Sequence, residues 1–574
     1  MSSQDKITYF AATDSRNKRV PFGIKSKDRL KHVYVIGKTG MGKSNLLENM
    51  AIQDIQSGEG MVFIDPHGST AEKLLEYVPK ERIEDVIYFA PFDIEHPISF
   101  NVMEDVGEDK RHLVVSGLMS TFEKIWVDAW SARMAYILQN TLGALLEYPD
   151  STLLGINKML SDKSYRNKVV DNVKDPSVRS FWVDEFAKYT DRYAAEATPA
   201  IQNKIGQFMN NAMVRNIIGQ PESSFDFRKA MDEQKVIIVN LSKGLVGESN
   251  AKLLGGMIIT KIYLAAMSRA DANGEDLNKL PNFYLYVDEF QSFANKSFAD
   301  ILSEARKYKL NLTIAHQYIE QMEEEVRDAV FGNVGTMIVF RVGAYDAEVL
   351  EKEFAPTFTA EDLVNLGSYQ IYLKLMIDGV SSQPFSGTSL PPIEKPEISY
   401  VDEVIRSSRR VYSKPRNDVE KAIRDWHESP VDGGSTKSKP IDIRGNKDTR
   451  KPLDDARGRQ ERKPAPPREQ GFPKEKLEAQ KRVSLKTLKP EKKNNQRPPD
   501  PAKVSDLKAA LQAVTGTVSA KPENSRALPA SGLRRDENSS VSPAPKANEA
   551  NKQISQQAAS GPNPDELKKI LGDE

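Results

Sequence analysis

Residues Gly37 to Ser44 read GKTGMGKS and fit the spacing G-x-x-x-x-G-K-[ST]. Gly37, Gly40 and Gly42 carry no Cβ, so their backbone N–H groups can approach an anion closely. The segment lies between VYVIG, which reads as a strand, and NLLENMAIQDIQ, which reads as a helix. A helix start there adds a favourable dipole for phosphate. The expected ligand is a nucleoside triphosphate. It would be held by Gly37, Lys38, Thr39, Gly40, Met41, Gly42, Lys43, Ser44 and Asn45, with Lys43 bridging the β- and γ-phosphates and Ser44 ligating Mg²⁺. No Asn-Lys-x-Asp guanine signature is found, which favours ATP.

Such a loop needs an acidic partner, and FYLYVDEF, Phe283 to Phe290, supplies one at a strand end. Ligands of open α/β sheets bind at the carboxyl ends of strands. Asp288 is expected to complete the Mg²⁺ shell. Glu289 is expected to polarise the attacking water, a task that a hydrolase has and a mere binder lacks. Gln317 ends NLTIAHQ, placed to sense the γ-phosphate or orient water, while His316 reads as structural. FIDPHG sets Asp65, His67 and Gly68 after another strand; Asp65 is either an outer partner of the metal or a turn former. Phosphoryl transfer develops charge on the equatorial oxygens, so arginines matter. Arg306 points away from an apolar face of Ile301, Leu302, Ala305 and Tyr308, and Arg341 ends TMIVFR; either would reach a neighbour's nucleotide in a ring.

The elements that must position these groups alternate. Val33–Gly37, Met61–Asp65 and Val86–Pro91 read as short parallel strands. From about 109 to 220 the pattern is helical, with Trp130, Met134, Ile137, Leu138, Leu142 and Leu145 at helical spacing. Strands return at Val236–Leu241, Phe283–Val287, Leu312–Ala315 and Thr336–Val342. Tyr369–Met376 reads as an edge strand, Asp378-Gly379 as a turn leading to Gln383–Phe385, and Asn417–Trp426 as a last charged helix. The expected organisation is an α/β domain split into 1–105 and 231–395 by an all-helical insertion, 106–230, followed by a helical segment, 396–430, and a tail, 431–574.

Composition bounds the rest. The 574 residues are 39% hydrophobic and 28% charged, enough for a core, and no cysteine is present. Disulfides, thiolate zinc sites and cysteine nucleophiles are excluded. Six histidines, none spaced His-x-x-x-His, argue against a zinc hydrolase. The longest apolar stretch, Gly255 to Met267, is interrupted by Thr260 and Lys261 and falls short of the ~18 residues of a membrane span. MSSQDKITYF does not read as a signal peptide. Formal net charge is +0, yet residues 431–574 hold 30 Lys and Arg against 20 Asp and Glu, and 16 of the 33 prolines. That tail is expected to be disordered, serving as a solubilising segment or as a basic arm for nucleic acid or an acidic partner. Apolar islands at Val483–Leu488, Leu507–Val514 and Leu567–Leu571 suit docking peptides.

GKTGMGKS, FIDPHG, FYLYVDEF, EARKYKLNLTIAHQ and FGNVGTMIVFRVG together resemble the HerA–FtsK class of P-loop motor ATPases. Within it they are most similar to the coupling proteins of type IV secretion and conjugation, of the TraG/TraD kind, over about Lys31 to Pro392. The resemblance implies a RecA-like P-loop ATPase sheet with an all-helical inserted domain. It implies an ATP- and Mg²⁺-dependent homohexameric ring that translocates DNA, with relaxase or secretion-channel proteins as partners of the helical domain and tail. Arg306 and Gln317 match the family's trans-acting arginine and strand-end glutamine. Members of this kind usually begin with membrane-spanning helices, which this sequence does not show, so a cytoplasmic protein recruited to the membrane by partners is expected. DPHG stands where many coupling proteins have Asp-Pro-Lys-Gly, as in HerA-like and secretion-assembly ATPases. A HerA-like DNA-processing helicase and a secretion-assembly ATPase therefore stay open as alternatives. A nucleotide-gated binding module without hydrolysis is a third, against which Glu289 speaks.

Overall fold

The structure is a computed structural model and describes residues 5–428 apart from 15–17, 105 and 273. The tail expected over 431–574 lies outside the described residues. The strands are β1 (Ile7–Ala12), β2 (Pro21–Lys25), β3 (Val33–Ile36), β4 (Gly60–Asp65), β5 (Val86–Phe89), β6 (Val236–Asn240), β7 (Phe283–Val287), β8 (Leu310–His316), β9 (Thr336–Val339), β10 (Gln370–Lys374), β11 (Met376–Ile377), β12 (Val380–Ser381) and β13 (Phe385–Ser389).

Eleven strands form one sheet in the order β2-β1-β13-β10-β9-β3-β8-β7-β4-β6-β5. From β9 to β5 all neighbours are parallel. Parallel strands covered on both faces read as unbroken apolar runs, and β3, β4, β6, β7, β8 and β9 are buried along their whole length. Alternate side chains feed two cores. Val33, Val35, Met61 and Phe63 pack with Leu46, Met50 and Leu74 of the helices Lys43–Gln56 and Ser69–Glu76. Tyr34, Ile36, Val62 and Ile64 face the opposite core with Met257 and Phe298.

Between β5 and β6 the named elements are all helical. The helix Arg111–Ile125 meets the helix Glu248–Ser268 through paired notches. A Cβ on Gly117 would stand 2.4 Å from Cγ2 of Thr260, and one on Gly256 would stand 2.8 Å from Cγ2 of Thr121. Each threonine hydroxyl donates back to the glycine carbonyl one turn earlier on its own helix, at 2.8 Å and 2.9 Å. Among the described residues, the segment Glu248–Asp271 is the one helix long and apolar enough to cross a membrane, and 72% of its apolar window is buried. The helix Val401–Tyr412 packs on β5, and Val419 and Ile423 of the helix Arg416–Glu428 pack on Leu154.

Two expectations need correction. β10 is not an edge strand: β9 and β13 flank it, because β13 and the hairpin of β1 and β2 extend the sheet antiparallel. That hairpin is absent from the sequence reading. The Asp378-Gly379 turn does form, with both residues at positive φ (51° and 84°) as a tight hairpin requires. It closes the small ribbon of β11 and β12, however, and the next sheet strand runs Phe385–Ser389 rather than over 383–385.

A buried ion pair ties the phosphate-loop helix to the acidic strand. Arg29, 1% exposed, donates to both carboxylate oxygens of Asp54 at 2.8 and 2.9 Å, to Thr8 at 3.1 Å and to the Tyr286 hydroxyl at 2.6 Å. Its guanidinium lies 3.6 Å from the Tyr284 ring centroid. Such a pair adds little net stability over an apolar substitute, but its directional bonds fix the alignment of the elements that it joins.

Candidate functional site

β3 delivers the chain into Gly37–Ser44 at the carboxyl edge of the parallel strands. Gly37 is needed because a Cβ there would meet Cβ of Phe340 at 2.5 Å. Gly40 and Gly42 turn the loop at φ 77° and 116°. The loop is pinned on both sides: the Gly37 N–H donates to the His316 carbonyl at 3.3 Å and the Lys38 N–H to the Arg341 carbonyl at 2.8 Å. Lys43, 5% exposed, donates to the carbonyls of Gly37 (2.7 Å) and Lys38 (3.2 Å), which keeps its ammonium at the centre of the loop. Burial pulls the pKa of that ammonium down, while Glu289 and Asp288 oppose the shift.

β8 stands between β3 and β7, and this order brings the acidic pair to the loop. The Ser44 hydroxyl donates to Asp288 Oδ2 at 2.8 Å. Asp288 is 3% exposed, and burial raises its pKa against the Ser44 bond, with Glu289 and Asp65 adding to the rise. Glu289 follows with a left-handed backbone, φ 49°. Its carboxylate accepts from the amides of Gln317 and Gln291. Gln317 accepts in turn from the Thr39 hydroxyl at 3.0 Å. Thr39, Gln317 and Glu289 therefore form one polar chain from the loop to the acidic strand.

Ser44 and Asp288 are hard oxygen donors already at hydrogen-bond distance, a donor set that suits Mg²⁺. No group of three or more His, Cys, Asp or Glu that could hold a metal occurs among the described residues. Mg²⁺ commonly takes only one or two protein ligands beside substrate phosphates.

The other sequence candidates fall elsewhere. β4 is three strands from β3. Asp65 accepts from the N–H groups of His67 (2.8 Å) and Ala71 (2.9 Å), so its carboxylate shapes its own loop and reaches Asp288 through charge alone. His67 is exposed. The Asn45 side chain is turned to the Leu390 carbonyl at 2.8 Å. Arg341 contributes its carbonyl to the loop edge. Arg306 lies exposed in the short turn before β8, beside His32, and hence at the amino edge of the strands, opposite Lys43 of its own chain. Motif spacing gives no sign of Gln291, Asp346 or Tyr369. Asp346 accepts from the Ile319 N–H at 2.9 Å, and burial raises its pKa. A tyrosine at 369 belongs to no loop pattern, and only the pairing of β10 brings it to this edge.

A glycine-lined loop between strand and helix, a buried lysine, and an acidic pair two strands away define a P-loop NTPase fold. The family model of the type IV secretion-system coupling protein DNA-binding domain matches residues 18–368, over half of the chain, and the chain belongs to that family. Among solved structures, it is similar to the plasmid coupling protein TrwB in complex with ADP and Mg²⁺, with TM-score 0.50 and 13% identity, covering 69% of this chain and 98% of that one. The unbound monoclinic form of TrwBdeltaN70 gives TM-score 0.49 at 13% identity, covering 66% and 88%. VirB4 of Thermoanaerobacter pseudethanolicus gives 0.45 at 12%, covering 69% and 97%. At 13% identity the likeness to the TrwB complex with ADP and Mg²⁺ is one of fold. No curated protein sequence matches the chain.

Two histidines under the sheet make stability depend on pH. His32 accepts from the Leu312 N–H at Nδ1 (3.1 Å), and its Nε2 lies 3.2 Å from the Leu302 carbonyl. Burial holds its pKa down to about 4. Burial, with the Lys43 charge, holds that of His316 down to about 3. Below the ordinary histidine value the unfolded chain takes up protons that the folded one refuses, so stability is greatest above pH ~6.5 and falls as the pH drops towards 4. The slope is about 1.4 kcal/mol per pH unit for each histidine. Urea unfolding between pH 7 and 4.5 should show it, and His32→Asn should reduce the slope; an equal slope in the variant would contradict this origin.

Proposed function

We propose that this coupling-family protein hydrolyses ATP and uses the turnover to move DNA through a homo-oligomeric ring. The observation that carries hydrolysis is Glu289, a buried carboxylate next to the Asp288–Ser44 pair and oriented by two glutamines. A water set against the γ-phosphate needs an acceptor for its proton, and Glu289 provides it. Gln317 donates to Glu289 and takes a hydrogen bond from Thr39 of the loop, so it can report the γ-phosphate to the rest of the sheet. Lys43 supplies positive charge to the phosphates. Ser44 and Asp288 would hold Mg²⁺, which would neutralise charge on the phosphate oxygens. DNA as the cargo is supported by the family's description as a DNA-binding domain, and ATP with Mg²⁺ by the TrwB complex with ADP and Mg²⁺. The exposed Arg306, at the edge opposite its own Lys43, is available to a neighbouring subunit's nucleotide, and the ring reading assigns it there.

DNA should stimulate ATP turnover by the purified protein, and Glu289→Gln should lower turnover by roughly 100- to 10,000-fold while sparing ATP binding. Normal turnover in that variant would refute the catalytic assignment, and stimulation by a protein partner instead of DNA would point to secretion assembly. Mixing Arg306→Ala with Lys43→Ala subunits should partly restore hydrolysis. Inactivity at every mixing ratio would remove Arg306 from the neighbour's site.

A further inference from the structure

The sheet order gives the loop two unlike sides. On one side of β3 lie β8 and β7 with Gln317, Asp288 and Glu289, the end that suits a γ-phosphate. On the other side lie β9 and β10. β10 runs antiparallel to β9, so its first residues return to the same edge as the loop. There the Tyr369 ring packs on the loop: a Cβ on Gly42 would stand 2.9 Å from its Cδ1.

Tyr369 is held in an unusual way. Its φ is 66°, a backbone region that a tyrosine rarely adopts. Its N–H donates to the Met41 carbonyl at 3.2 Å and its carbonyl accepts from the Ser389 N–H at 2.8 Å. The residue is nevertheless 52% exposed. An aromatic side chain in a strained, doubly anchored backbone, with one face on the phosphate loop and half its surface free, is placed to receive a flat ligand.

We infer that Tyr369 is the stacking platform for the nucleotide's purine base. The inference rests on the nucleoside triphosphate reading of the loop and adds the base subsite. With the γ-phosphate toward β7 and β8, the nucleoside leaves the loop past Gly42 toward β10, where this ring lies. Stacking uses the π-face that all bases share, so Tyr369 strengthens binding of adenine and guanine nucleotides alike.

The test compares ATP, GTP and inorganic tripolyphosphate binding to the full chain by calorimetry. Tyr369→Asn removes the ring and keeps a residue that tolerates positive φ; Tyr369→Phe keeps the ring. The asparagine variant should weaken ATP and GTP by roughly 5- to 100-fold, the contribution of one base–aromatic stack, with tripolyphosphate unchanged and the phenylalanine variant near the parent. Equal losses for ATP and tripolyphosphate would show that the ring only shapes the loop, and undiminished ATP affinity would show that it does nothing; either overturns the base subsite alone. A parent protein that binds neither ATP nor tripolyphosphate overturns the phosphate-loop reading, and the base subsite with it.

Discussion

The in-phase parallel register of β3, β8 and β7 is the constraint on which the site depends. Ile36 pairs with His316 and Val287 pairs with Ile314, so Gly37, Gln317 and Asp288 emerge at one edge within a residue or two of the same level. A slip of one residue would turn every side chain of a strand to the other face. It would exchange the cores fed by Tyr34 and Val35 and part Ser44 from Asp288. Burial on both faces makes such a slip costly, so hydrophobic packing indirectly sets a polar distance of 2.8 Å.

The same packing accounts for the polar groups left beneath the sheet. Arg29 and Asp54 lie in the core on the side of the phosphate-loop helix, and Tyr284 and Tyr286 extend from β7 to meet them. Asp54 sits near the far end of the helix that starts at Lys43. The helix is thus fixed to β7 at one end by this ion pair and at the other by the Ser44–Asp288 bond. Movement of the acidic strand relative to the loop must therefore strain two sets of directional bonds, a rigid frame of the sort that precise placement of a reacting group requires.

The placement of the candidate site was legible in the sequence wherever it was local. GKTGMGKS is a contiguous backbone device, and Asp288, Glu289 and Gln317 each directly follow a run of strand-forming residues, so strand ends alone identified them. Parallel strands were legible too, because burial on both faces leaves uninterrupted apolar runs. What escaped depends on pairing between distant segments. β1 and β2 are short, and β2 carries a proline and a glycine; they acquire their role only by meeting β13, more than 350 residues away. β10 alternates as a half-exposed strand does, which suggested an edge, but its neighbours come from both sides. Tyr369 has no motif around it, and its place on Gly42 follows from the return of β10. Asp65 stayed open between two roles because a strand-end aspartate looks the same whether it serves a ligand or caps its own loop. The position of Arg306 at the opposite edge was equally hidden, since its distance along the chain from Glu289 does not reveal which end of the sheet the turn occupies.

The central claim is that the Lys43 loop and the Asp288 strand grip one nucleotide through one cation. It is tested most directly by nucleotide affinity measured with and without Mg²⁺ in the parent, Ser44→Ala, Asp288→Asn and the double variant. Two ligands of a shared ion act as a unit, so their losses should not add. Each single variant should abolish the strengthening by Mg²⁺, and the double variant should bind no more weakly than the worse single one. Mg²⁺ strengthening that survives in Asp288→Asn, or losses that sum in the double variant, would mean that the two groups serve different sites.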